Sequence, residues 1–287
     1  MNARRRGGRA TIAGVTVDDV ATVREPSLWR TSWRVRGAQR PAVLLREVLL
    51  LLGVSLGASA ISSILRITAR LTASTPLSQQ TTALNTSTLP GRPVLGLFFE
   101  LYEVFFTVVP ALLAIYLLNR DPETSPAGAV LGLDRRRPWF DLGTGAGLAL
   151  LIGVPGLGIY FAARALGINT TVAAANLTEW WAAPVLVLAA LSYGIVEELV
   201  VVGYLLTRLR QIGWGVAAAV AGSSLLRGTY HLYQGFGAFI GNVLMGVVFA
   251  VFFLRTRRLW PLVLAHTLLD TVAFLGYTLL HDRVSWL

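Results

Sequence analysis

The sequence predicts an all-α, polytopic membrane helix bundle of about seven transmembrane helices, within a range of six to eight. Three observations carry this. Of 287 residues, 54% are hydrophobic and only 14% are charged, where a soluble domain carries about 25% charged residues. Mean hydropathy is +0.62. The apolar residues fall in runs of about twenty, the length that crosses a hydrocarbon core of ~30 Å. None of these runs shows the dyad alternation of barrel strands.

Residues 1–40 form a polar tail rich in arginine, including Arg4, Arg5, Arg6 and Arg9. No apolar stretch or small-residue cleavage site follows promptly, so the tail does not read as a cleaved signal peptide. It is expected to be disordered on the cytoplasmic side. Residues 41–287 form the transmembrane helical domain. Its first apolar run covers about 42–65, and a Ser/Thr-rich loop from Thr72 to Pro90 leads to the second at 95–118. A basic connector with Arg120, Arg135, Arg136 and Arg137 precedes a Gly-rich run at 142–163. The weakly charged stretch 166–179 follows, then a fourth run at 180–207 closed by Arg208 and Arg210. The fifth is 214–231, the sixth is 237–254 and ends at Arg255, Arg257 and Arg258, and the last is 260–280. The core helices for any chemistry are expected at about 180–280.

The net charge is +10, and every basic residue is arginine. Basic blocks fall in the tail and in alternate connectors, the positive-inside pattern. That placement predicts a cytoplasmic N-terminus and, if all seven runs cross, an exterior C-terminus. It assigns the charge to an anionic lipid leaflet and not to nucleic acid. With no cysteine, disulfides, thiol catalysis and cysteine-held metals are excluded. No internal repeat is visible, which weakens an inverted-repeat transporter.

Ionisable groups at membrane depth are costly, so each is a functional candidate. The fourth run holds Glu197 and Glu198, about 15 Å from its basic end at ~1.5 Å per residue. Adjacent helix positions point about 100° apart. One carboxylate would then face a cavity while the other pairs with a cation or a helix terminus. Arg227 and His231 stand four apart in the fifth run, and His266 and Asp270 four apart in the seventh, each pair on one helix face. Two imidazoles and the carboxylates suit either of two chemistries. His231, His266, Glu197 and Asp270 could hold a zinc ion with an open position. Alternatively, a buried Glu and a His could activate water directly, with His and Asp stabilising the oxyanion.

At these residues the sequence resembles the CAAX-protease and bacteriocin-processing (CPBP, Abi) family of intramembrane endopeptidases. Glu197-Glu198 fits its Glu-Glu-x-x-x-Arg motif, His231 its Phe-x-x-x-His motif, and His266 with Asp270 its His-x-x-x-Asn/Asp motif. The likeness covers about 180–275, a third of the chain. It implies an endopeptidase of the bacterial cytoplasmic membrane, acting on a peptide or membrane protein, prenylated C-terminal motifs being one substrate class. It further implies Glu197 as general base with His231 beside it, and His266 with Asp270 as oxyanion partners or metal ligands. Two departures stand out: the motif arginine falls at Val202, and the motif phenylalanine at Arg227. Arg227 is therefore expected to supply, from the neighbouring helix, the charge balance for Glu198.

Blander readings compete. Glu197 and Glu198 could only neutralise nearby arginines, and His266 could only bond Asp270 within its helix. A catalytically silent scaffold, immunity or binding protein of the same fold is one rival function, and a proton-coupled transporter another. Trp180, Trp181 and His281 read as interfacial. Glu100 and Glu103, one turn apart, read as partners of Arg66 or Arg92 and outside the site. A run from Trp214 as one straight span carries His231 ~25 Å from the basic end, beyond Glu197, unless Gly228, Gly235 and Gly237 mark a break. Asn85-Thr-Ser87 and Asn169-Thr-Thr171 match the glycosylation triplet.

Overall fold

A computed structural model describes residues 39–280, apart from 88, 90 and 176–178. Nearly all of the Arg-rich tail, and His281, lie outside the described residues. Helices α1 (Pro41–Gly53) and α2 (Leu56–Leu71) are followed by strand β1 (Thr81–Asn85), helix α3 (Pro93–Asn119) and the short α4 (Ala127–Val130). Then come α5 (Pro138–Ala165), strand β2 (Thr171–Ala175) and α6 (Ala182–Glu197). A π-helical segment, Glu198–Leu205, joins α6 to α7 (Leu206–Ile212). Helices α8 (Val216–His231), α9 (Phe236–Thr256) and α10 (Trp260–Leu280) complete the bundle.

The helix bundle is as expected, but its crossings are less uniform than seven equal runs. Among the described residues, five helices are long and apolar enough to span: Pro93–Asn119, Pro138–Ala165, Ala182–Ile212, Phe236–Thr256 and Trp260–Leu279. The first apolar run is broken: α1 and α2 bend by 54° and together make a sixth candidate. Gly53 and Ser55 flank the break, and the Ser55 hydroxyl bonds back to the Leu51 carbonyl, a contact that competes with the helix ladder. Helix α8 has 16 residues, about 24 Å, and stops at His231. A 3-10 turn, Leu232–Gln234, and Gly235 at φ 126° then reverse the chain. The break falls just after His231, so it ends the fifth run there but leaves α8 itself unbroken from Val216 to His231.

Two segments expected as loops contain strands. β1 and β2 pair in parallel, Thr81 opposite Thr171 and Asn85 opposite Ala175. Their partners are some ninety residues apart, and no local pattern announces such a pairing. The same stretch removes one glycosylation candidate. Asn169 is fully buried, and its side chain accepts from the Ala238 amide and donates to the Thr170 carbonyl.

Lipid tails are as apolar as leucine, so helices in a membrane associate through close packing and polar contacts. Glycines provide the closeness here. A Cβ at Gly194 on α6 would stand 2.9 Å from Thr267 Oγ1 on α10, and one at Gly145 on α5 3.0 Å from Leu264 Cβ. Gly228 on α8 meets the Phe239 carbonyl of α9, where a Cβ would lie at 2.9 Å. Ala182–Ile212 is the central element, mostly buried, while α5 turns most of its surface outward. Trp181, expected at the interface, is buried and donates its indole N–H to the Pro93 carbonyl at 2.9 Å, whereas Trp180 is exposed.

The basic connectors gather at one end of the bundle. Arg208 reaches Asp121 at 3.1 Å and Glu47 at 3.2 Å, and Arg258 reaches Asp134 at 3.1 Å. Arg208 and Arg258 are buried. They bind neighbouring helices together as well as marking the loops.

Candidate active site

Three elements meet where α6 passes into its π-helical stretch. That stretch begins at Glu198, directly after Glu197. π-helical turns inside α-helices recur at functional sites, because the widened turn re-aims neighbouring side chains. The two glutamates diverge accordingly. Glu198 is wholly buried: Oε1 accepts from Arg227 Nη2 at 2.7 Å and from His266 Nδ1 at 2.6 Å. Glu197 faces a cavity. Its Oε2 accepts from the Tyr230 hydroxyl at 2.7 Å and from Arg227 Nη1 at 3.4 Å, and lies 3.6 Å from His231 Nε2 and 3.9 Å from His266 Nε2.

All five sequence candidates, Glu197, Glu198, His231, His266 and Asp270, come together with Arg227. His266 Nε2 stands 3.6 Å from Asp270 Oδ2, one turn along α10. Because Nδ1–H is given to Glu198, Nε2 is the atom of His266 turned towards Glu197 and Asp270. On His231 the Gln234 amide lies 3.3 Å from Nδ1. With that nitrogen accepting, the ring proton sits on Nε2, which has no hydrogen-bond partner among the described residues. The close approach of α6 and α10 at Gly194 brings Glu198 and His266 within reach.

Arg227 is fully buried among these groups and packs over the Phe249 ring, 5.6 Å from its centroid. Val202, at the position of the family's arginine, lies in the apolar core. The cation beside the two glutamates thus comes from α8.

The cavity has a volume of about 1190 Å³. Glu197, Tyr230, His231, His266 and Asp270 line one part of its wall, and α2, α3, the strands and further residues of α6, α9 and α10 line the rest. Glu100 and Glu103 also line this cavity, away from the cluster around Glu197. Neither carboxylate forms an ion pair with Arg66 or Arg92 among the described residues. Tyr230 was missed at the sequence level. Its signal was available: it lies three residues after Arg227, on the face that points at the glutamates.

Among the described residues no group of three or more His, Asp or Glu side chains is arranged to hold an ion. Glu197 Oε2, the carboxylate oxygen near both imidazoles, already accepts from Tyr230 and faces the Arg227 cation. The residues as placed do not fit a metal centre.

Residues 179–272 match the model of a family described as type II CAAX prenyl endopeptidase Rce1-like. The match runs from just before α6 into α10 and includes all three motifs. The description of that family agrees with the resemblance that the motifs carry, over about a third of the chain. No curated protein and no solved structure matches the chain.

Proposed function

We propose that the chain is an intramembrane endopeptidase in which Glu197 activates a water molecule. The carrying observation is the Glu197 carboxylate on a cavity wall, 3.6 Å from His231 Nε2. A water lying beside the two atoms, on the cavity side, can hydrogen-bond to both. Glu197 takes a proton from that water as its oxygen attacks the scissile carbonyl carbon. The Nε2–H of His231 and the His266 ring face the oxyanion that develops. As the C–N bond breaks, Glu197 returns the proton to the leaving amine. Glu198 does not touch substrate. It positions His266 and balances Arg227, as Asp270 steadies His266 from the other side.

In this reading the basic end is cytoplasmic, and the substrate is a peptide segment held at or in the membrane. A lipidated C-terminus, the substrate class in the matched family's description, is one such segment. One observation favours the rival, a silent scaffold: Glu197 Oε2 is already engaged by Tyr230 and Arg227, which weakens it as a base.

A peptide library incubated with wild-type and Glu197→Gln protein in nanodiscs separates the two. The protease reading expects cleavage that falls by about 10²–10⁴-fold in the variant, the usual worth of a general base. It also expects wild-type cleavage to be unchanged by a chelator. Peptide binding without cleavage by either protein would establish the scaffold.

A further inference from the structure

The two-stranded sheet has one closed edge and one open edge, and the open one borders the cavity. In a parallel pair, successive residues turn their N–H and C=O groups alternately towards and away from the partner strand. The Thr171 amide donates to the Gln80 carbonyl at 3.0 Å. Residues 80, 82 and 84 of the first segment therefore face β2, while Thr81, Ala83 and Asn85 face away from it. Val172, by the same alternation, faces away from β1, and its amide donates to the Tyr160 hydroxyl at 3.2 Å. The outer edge of β2 is closed by α5 in this way.

On β1 the outward Thr81 carbonyl is taken by Arg70. Ala83 is exposed, and no loop or side-chain hydrogen bond among the described residues reaches its outward amide and carbonyl. Four consecutive residues, Ala83 to Thr86, line the cavity, against the alternate pair Val172 and Ala174 on β2. Lining by one face of a strand would show alternate residues only. Consecutive lining means that the edge itself is open to the cavity. That edge lies close to the chemistry. The Tyr193 hydroxyl is 3.4 Å from Asn85 Oδ1, and Tyr193 precedes Glu197 by one helical turn.

Unpaired strand edges are templates for another extended chain. Charge says which chain fits this one. Glu100 and Glu103 line the same cavity, as does Asp270. Only Arg66 opposes them among the lining residues outside the catalytic cluster.

We propose that the free edge of β1 at Ala83 and Asn85 binds the substrate as a third β-strand, carrying a basic side chain to Glu100 and Glu103 and the scissile bond to Glu197. This rests on the protease reading and adds where the peptide lies and what it must carry. Backbone pairing explains how a cavity can hold many sequences, and the carboxylates select among them.

The test uses a lysine-containing peptide that the wild-type protein cleaves, labelled with a fluorophore, and Glu197→Gln protein in nanodiscs, so that affinity is read without turnover. Single amides of the peptide are replaced in turn by esters, which removes one N–H donor at a time. Strand pairing expects Kd to rise about three- to tenfold at alternate positions and to stay unchanged between them. Ala83→Pro, which deletes an outward donor while leaving the β1–β2 bonds, weakens binding to a similar degree. Replacing the lysine by norleucine weakens binding to the parent protein, and Glu100→Gln with Glu103→Gln abolishes that difference. An ester scan with no two-residue period, or equal affinity for the two peptides, overturns the proposal while cleavage keeps the protease reading. The absence of any cleaved peptide overturns both.

Discussion

Two arginines, Arg208 and Arg227, are fully buried in this membrane protein, and each is held by two carboxylates. Arg208 sits at the basic end between α1, α3 and α7. It binds Asp121 at 3.1 Å, Gln211 at 2.7 Å and the Leu117 carbonyl at 2.8 Å, with Glu47 at 3.2 Å. Arg227 sits at mid-bundle and binds Glu198 and Glu197, but its carboxylates also reach two imidazoles, and one of them looks into a cavity. The lesson is that a buried charge is a functional signal only when a neighbour is left accessible and able to move a proton. Around Arg208 every partner serves to close helices on one another. Around Arg227 one carboxylate is wholly enclosed, and the other, though also paired with the cation, faces the cavity.

Removing either cation should cost about 3–5 kcal/mol of stability, because two buried carboxylates lose their partner. The comparison breaks on activity. Arg208→Met should leave the cleavage rate per folded molecule unchanged, while Arg227→Met should lower it by more than tenfold. Thermal melts paired with active-site titration check this, and equal losses of specific activity would put both arginines in one structural class. His231 has no counterpart beside Arg208. His231→Gln should lower kcat by about 10²–10³-fold, the worth of one oxyanion donor, with an unchanged melting temperature. A variant at wild-type rate would remove His231 from the chemistry.

The contrast between the two arginines was only half legible in the sequence. Glu197 and Glu198 announced themselves as acids inside an apolar run, and the four-residue spacings in α8 and α10 placed cations and imidazoles on single faces. The basic residues of the connectors looked alike. Nothing local distinguishes Arg208, locked between three helices, from Arg210, which is only half-buried. The π-helical stretch was hidden for a related reason. Leu199-Val200-Val201-Val202 reads as any apolar helix, and the wide turn is selected by what packs around it. The strands were five-residue stretches, the first of them within a Ser/Thr-rich segment, whose partner lay far along the chain, so neither period nor length identified them. With the sheet unseen, the cavity wall was unseen too, and Glu100 and Glu103 were set apart from a cavity that they line.

Smaller effects sharpen the account. Gly194→Val places a side chain against Thr267 and the Val263 carbonyl of α10. Overpacking of this kind costs about 1–3 kcal/mol, and it should part Glu198 from His266 and lower activity in the folded fraction. A melt shifted with activity intact would show that the site does not depend on this approach. At the basic end, the Asp134 carboxyl is held below the ordinary aspartate value by the Arg136 amide and then by Arg258. The stability from that shift is fully present above the ordinary value and is lost as pH falls through the lowered one. The melting temperature of the wild-type protein should therefore fall slightly more steeply below about pH 4 than that of Asp134→Asn. Identical slopes would mean that the clamp adds nothing.

The central claim is that Glu197 delivers water to a peptide bond, and single-turnover cleavage in H₂¹⁸O tests it most directly. Wild-type protein in excess over a cleavable peptide should place one ¹⁸O in the new C-terminal carboxylate, and Glu197→Gln, equally folded, should form no product on that timescale. Product formed by Glu197→Gln at the wild-type rate would contradict the account.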